Sequence, residues 1–243
     1  MFGRFKYSDE VFYGEVSNGI VNSHDSDGKT YELEDLELLP PSIPTKIVCV
    51  GLNYHDHAVE LGMRVPEEPV LFLKPTSALI GHGGKINYPR SSKKVDYEAE
   101  LAVIIGKRCK NISYERASDV IAGFTCFNDV TARDLQNRDG QWTRSKSFDT
   151  FAPVGPFIVP AEDFETDDAP IKTRVNGEIR QDSNISNLIF DVPYLIEFIS
   201  GIMTLEVGDI IATGTPPGVG ELNPGDLVEV EIEGIGILGN EVA

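Results

Sequence analysis

The sequence is short of positive charge, of cysteine and of long apolar runs. Lys and Arg number 21 against 39 Asp and Glu in 243 residues, a formal net charge of −18. That balance excludes a nucleic-acid partner, because phosphate recognition needs clustered Lys and Arg. It excludes an anionic membrane surface for the same reason. No stretch approaches the ~18 consecutive apolar residues of a membrane-crossing helix. The opening MFGRFKYSDEVFYGEV has neither an apolar core nor a small-residue cleavage site, so no secretory signal is expected. The three cysteines, Cys49, Cys109 and Cys126, are odd in number, widely spaced and without a CxxC pair. They fit buried free thiols in a reducing cytoplasm better than a disulfide framework or a zinc site. An acidic small substrate stays open, since local Arg, Lys or metal overrides the global field.

What is present is an ordinary globular balance, 41% hydrophobic and 25% charged. Residues 1–44 read as a small β-rich N-terminal domain, with alternating FGRFKY and VFYGEV and a polar turn at SHDSDGKT. The proline-rich LPPSIP at 39–44 is a stiff connector. Residues 45–243 form the second domain. Its strands are expected at KIVCVG, PVLFLK, AELAVIIG, IAGFTCFN, PFIVP, DIIATG and DLVEVEIEG. Helices are expected at 55–61, at 129–138 with Asp129 at its N-terminus, and at 187–203 with Ser186 as cap. The fold class is α+β, mainly β. LEVGDII and LNPGDLV echo one another, which suggests successive strands of one sheet.

Chemistry concentrates in DYEAE, at the head of an apolar strand. Glu98 and Glu100 stand two apart and face the same way. Two neighbouring buried anions need a counter-charge. A divalent cation supplies it, and all-oxygen ligands favour Mg²⁺, Mn²⁺ or Ca²⁺. Asp129, directly after IAGFTCFN, is placed to be a third ligand. An exposed acidic edge is the competing reading. His57 and Glu60 stand three apart on a helical turn, where a carboxylate raises imidazole basicity and fixes its tautomer. That is the layout of a general base, against a casual surface pair or a zinc site lacking further ligands. Among the scarce bases, Lys74, Arg133, Arg144 and Lys146 fall near these segments; a lysine beside such a cluster can bind a substrate carboxylate or stabilise a developing enolate, against the ordinary reading of a solvated surface charge. ATGTPPGVG lacks the Lys-Ser/Thr ending of a phosphate loop and opens no helix. It remains a turn able to offer Thr213 or Thr215 to a ligand.

Seven ordered motifs carry a resemblance to the fumarylacetoacetate hydrolase family: GLNYHDHAVELG, FLKP, DYEAELAVIIG, FNDVTARDLQ, RSKSFDTFAPVGP, GDIIATGTPPGVG and GDLVEVEIEGIG. The match runs from about Lys46 to the C-terminus. It implies a mixed β-sandwich roll behind the small N-terminal domain, a homodimer, and Mg²⁺ held by Glu98, Glu100 and Asp129. It implies that His57 and Glu60 activate water, that Lys146 stabilises an enolate, and that Arg133, Gln136 and Thr215 line the substrate pocket; from its place at the end of PVLFLK, Lys74 is expected to bind substrate with them. The implied reaction is Mg²⁺-dependent hydrolysis of a C–C bond in a 2,4-dioxo acid of acylpyruvate type. Isomerisation or decarboxylation of hydroxy-diene diacids or oxaloacetate is the nearest rival, and an idle binding protein is the rival of another class. Leu52 stands where some relatives acting on acylpyruvates and oxaloacetate carry a basic residue, which weakens the acylpyruvate-cleaving assignment. The remaining acids, dense at 32–39 and 165–170, suit a salt-rich cytoplasm.

Overall fold

The computed structural model describes residues 1–24 and 28–243. The centre of the expected SHDSDGKT turn, residues 25–27, lies outside the described residues. Strands dominate, and among the described residues they assemble into three sheets. The largest runs in the spatial order 30–32, 20–23, 10–17, 2–7, 152–160, 121–128, 99–105, 210–212, 47–51 and 70–74. It is mixed: Ile210–Ala212 lies parallel to Ile47–Gly51, whereas Ala99–Ile105 is antiparallel to both of its neighbours. A five-stranded sheet carries Glu178–Asn184 at one edge, next to Pro170–Val175, and a three-stranded sheet carries Val95–Tyr97 at its centre.

Ala99–Ile105 is buried along its whole length. Its side chains alternate, as a strand requires. Leu101, Val103 and Ile105 enter one core with Ile171, Val230 and Ile232 of the five-stranded sheet. Ala102 and Ile104 enter another, with Ile47, Phe127 and Val154. The four α-helices among the described residues are α1 (His55–Glu60), α2 (Arg133–Asp139), α3 (Thr143–Lys146) and α4 (Val192–Ile202). Leu195, Ile196 and Ile199 of α4 close the first core. None of these helices is long and apolar enough to cross a membrane.

Among the described residues up to Leu39, five strands surround Phe5, Phe12, Val16, Val21 and Leu36, with Phe157 packed on them. They join the large sheet edge-on, Phe2 opposite Ile158. The proline connector is pinned at its far end. Asp209 accepts hydrogen bonds from the backbone N–H groups of Thr45 at 2.9 Å and Glu206 at 2.8 Å, and forms an ion pair with Lys46.

Three expectations about local structure need correction. Asp129 does not open a helix: Thr131–Ala132 pairs as a strand and α2 starts at Arg133. The cap of α4 is Asp191, whose side chain accepts from the Tyr194 N–H at 2.9 Å, and Pro193 sits in the first turn, where its missing N–H costs nothing. The two Gly-Asp echoes feed different sheets. What they share is a turn: Gly208 and Gly225 take φ of +85° and +92°, and Asp209 and Asp226 each accept from the N–H three residues back. The repeat encodes a turn, which both sheets use.

Candidate active site

Val95–Tyr97 and Ala99–Ile105 belong to different sheets, and Glu98 sits at the break between them. Asp129 lies just past the end of the neighbouring strand Ile121–Asn128, and its N–H bonds the Glu98 carbonyl at 2.9 Å. This pairing brings Glu98, Glu100 and Asp129 together, with one carboxylate oxygen from each within 4.8 Å of the others. All three side chains are buried. They face a cavity of about 550 Å³.

Two lysines sit inside the protein with them. Lys146, at the end of α3, donates to Glu98 Oε2 at 2.9 Å and to Asp129 Oδ2 at 2.6 Å. Lys74 forms an ion pair with Asp129 Oδ1 and donates to the Val130 carbonyl at 3.0 Å. Arg133, on the first turn of α2, pairs with Glu98 and with Asp96, and donates to Gln136 Oε1 at 2.6 Å. Burial would raise Glu98, but Lys146 and Arg133 outweigh it and hold its carboxyl down at about 2. Burial would lower Lys146, but Asp129 and Glu98 hold its ammonium above the usual range. Glu100 is the exception. Burial first, then the charges of Asp129 and Glu98, push it well above the usual carboxylate range, and it accepts only the Gly214 N–H at 2.9 Å among the described residues. Four acids here face three bases, and the unbalanced charge falls on Glu100.

That imbalance fits a divalent cation. The donors are all carboxylate oxygens, the set that hard cations such as Mg²⁺ prefer. Each oxygen has a second lone pair, so an ion pair to lysine does not exhaust it. Glu98, Glu100 and Asp129 are the one group among the described residues with this geometry.

The other side of the cavity is α1, six residues long, with only Ala58 buried. His57 Nδ1 meets Glu60 Oε2 at 2.7 Å. A carboxylate can only accept, so Nδ1 carries the proton and Nε2 is left as the basic atom. Glu60 is steadied in turn by the Gly218 N–H at 3.0 Å, and Gly218 accepts from the Tyr97 hydroxyl at 2.9 Å. The start of α1 is tied down by Asp56, which accepts from Ser183 Oγ at 2.6 Å. Asn53, fully buried, bonds Phe190 and the Thr213 carbonyl through its side chain. Leu52, at the cavity wall, takes a φ of +45°, a strained conformation for a residue with a side chain.

The structure thus gathers His57, Glu60, Lys146, Arg133, Gln136, Thr215 and the three acids around one cavity. Lys74 is different: it stands behind Asp129, fully buried, and contacts the acid rather than the cavity. Arg133 lines the cavity with its charge already engaged by Asp96 and Glu98. Thr213 turns inward and donates to the Leu101 carbonyl at 3.0 Å, leaving Thr215 as the hydroxyl at the wall. Asp96 was missed, although Asp96, Glu98 and Glu100 alternate in DYEAE and the same period-2 argument reaches it. Trp142 and Phe72, whose ring lies 5.0 Å from Lys146 Nζ, also form the wall. No spacing rule singles out isolated aromatics of this kind.

Residues 46–243 match the family model for the fumarylacetoacetate (FAA) hydrolase C-terminal domain. The chain belongs to the fumarylacetoacetate hydrolase family. It is 44% identical over 225 residues to the oxaloacetate tautomerase YisK of Bacillus subtilis, covering 87% of this chain and 75% of that one. It is 45% identical over 214 residues to the mitochondrial oxaloacetate tautomerase Fahd2a of Rattus norvegicus, covering 84% and 68%. The crystal structure of a 5-carboxymethyl-2-hydroxymuconate delta-isomerase from Mycobacterium smegmatis superposes with a TM-score of 0.93 at 43% identity, covering 100% of this chain and 98% of that chain. The fold is therefore the mainly β, mixed-sheet fold of this family.

Proposed function

We propose that the protein is a divalent-cation-dependent enzyme that moves a proton next to the carbonyl of a short 2-oxo acid, through an enolate. The observation that carries this reading is the meeting of one oriented imidazole with a buried acid–lysine cluster across a single cavity. A cation held by Glu98, Glu100 and Asp129, with Mg²⁺ the expected ion, would act as a Lewis acid towards the 2-oxo acid. His57 Nε2 takes the proton from the carbon beside the carbonyl and returns it elsewhere. Glu60 holds the tautomer that this requires and stabilises the imidazolium once formed. Lys146 offsets the negative charge that develops on the substrate oxygen, and does so without reorganising, because Glu98 and Asp129 already fix it. The names of the tautomerase and isomerase relatives support proton transfer.

Hydrolysis of a C–C bond in a 2,4-dioxo acid is the second reading. It uses the same base to activate water, so geometry alone supports both. A panel assay with Mg²⁺ separates them: enol–keto conversion of oxaloacetate, isomerisation of a hydroxymuconate-type diacid, and cleavage of an acylpyruvate. Proton transfer predicts turnover of the first or second, lost with EDTA and in His57→Ala. Turnover of the acylpyruvate alone would favour hydrolysis. No turnover of any of the three would overturn both readings.

A further inference from the structure

We infer that Gln181 is a positioning residue that fixes the Thr215 hydroxyl as a hydrogen-bond donor into the cavity. The inference rests on the reading of that cavity as a 2-oxo-acid site. Gln181 lies on strand Glu178–Asn184, opposite Thr173, and is fully buried. Its amide makes four hydrogen bonds. Oε1 accepts from the Ala99 N–H at 3.0 Å and from Thr173 Oγ1 at 2.7 Å. Nε2 donates to Thr215 Oγ1 at 2.9 Å and to the Pro216 carbonyl at 2.8 Å.

The direction of this amide is not a matter of choice. A backbone N–H can only donate and a backbone carbonyl can only accept. Ala99 therefore requires the oxygen and Pro216 requires the nitrogen, and a flipped amide would oppose both. It follows that Thr215 Oγ1 receives a hydrogen from Gln181, and its own hydrogen cannot return there. Among the described residues no protein group accepts it. Thr215 is 7% exposed and lines the cavity shared with Glu98, Glu100 and Asp129. The hydroxyl therefore demands an acceptor from the ligand, which a carboxylate or carbonyl oxygen supplies and an ammonium does not. Because Ala99 lies between Glu98 and Glu100, the same amide also ties the Thr215 loop to the backbone carrying the acids.

The test is a double-mutant cycle of Gln181→Glu and Thr215→Val, read as oxalate affinity by calorimetry in Mg²⁺. Oxalate is a planar dianion that mimics the enolate of a 2-oxo acid. The carboxylate introduced by Gln181→Glu accepts only, so the Thr215 hydroxyl turns to it and the cavity loses its donor. Each single variant is expected to weaken oxalate by about tenfold, the value of a hydrogen bond to a charged group, and the double variant no more than either. Multiplying losses would mean a purely structural role and overturn the inference. Wild-type binding of oxalate with Gln181→Glu unchanged would overturn it too, while leaving the cavity reading intact. Failure of the wild type to bind oxalate would overturn the cavity reading and the inference with it. A second measurement needs neither ligand nor a Gln181 variant. In Thr215→Val, one Gln181 side-chain amide proton should shift and exchange faster in NMR, while the Pro216-bonded proton stays put. Two unchanged protons would overturn the inference.

Discussion

The two walls of the cavity are built on opposite plans. On one side, Glu98, Asp129 and Lys146 are buried and locked by ion pairs, with Lys74 paired to Asp129 from behind and Glu100 buried beside them. On the other, α1 is six residues long and buries a single alanine, while its own Val59 and the following Leu61 and Met63 stay exposed. A helix that short has almost no stability of its own. It is held instead by polar ties at Asp56, Glu60 and Asn53. The difference matches the two tasks proposed for these walls. Charge stabilisation needs fixed groups in a dry setting, whereas a proton-transferring base must let substrate past it, and movable elements come from the weakly held end of a structure.

That contrast is broken most severely at Lys146. Lys146→Met leaves Glu98 and Asp129 facing each other without their shared cation, and the fold should lose about 3–5 kcal/mol. Urea denaturation would measure it. His57→Ala, on the opposite wall, should change stability by less than about 0.5 kcal/mol while lowering turnover by ~10²–10⁴-fold. If both variants lose stability alike, the two walls are not built differently.

A smaller effect is expected at Gly218, which links the walls through Glu60 and Tyr97. Its φ is +91°, and a Cβ there would stand 2.2 Å from the Arg180 carbonyl oxygen. Gly218→Ala should cost about 1–3 kcal/mol. It should also lower kcat, because the N–H that orients Glu60 moves; unchanged kcat would remove Gly218 from the account. Smallest is Ser183→Ala, which removes one hydrogen bond to Asp56 and should cost about 1 kcal/mol. Faster amide exchange should then be confined to residues 55–60. Uniformly faster exchange would show that α1 is not a separately held element.

Much of this was legible in the sequence because local period and burial coincide. The alternation of AELAVII with DYEAE placed Glu98 and Glu100 together, and strand-end logic found Asp129. His57 and Glu60 followed from a three-residue spacing. What stayed hidden depends on contacts distant in sequence. Lys74 is 55 residues from Asp129, so nothing local says that it faces the acid and not the cavity. Gln181 reads as one polar residue in a polar strand, and its four partners come from three separate segments. The Gly-Asp echo misled because a turn motif carries no information on which sheet its strand will join.

A thermal-melt cycle of wild type and Glu100→Gln, with and without Mg²⁺, tests whether the unbalanced charge on Glu100 is there for a cation. A carboxyl whose pKa is raised on folding binds its proton more tightly in the native state. Ionising it therefore costs stability as pH rises above the unfolded value near ~4.3. Without Mg²⁺ at neutral pH, Glu100→Gln should melt at or above the wild type. With Mg²⁺ the order should reverse, because only the wild type gains stability by binding, and that gain should shrink as pH falls and protons compete for Glu100. Equal Mg²⁺ responses in the two proteins, or none in the wild type, would contradict the account.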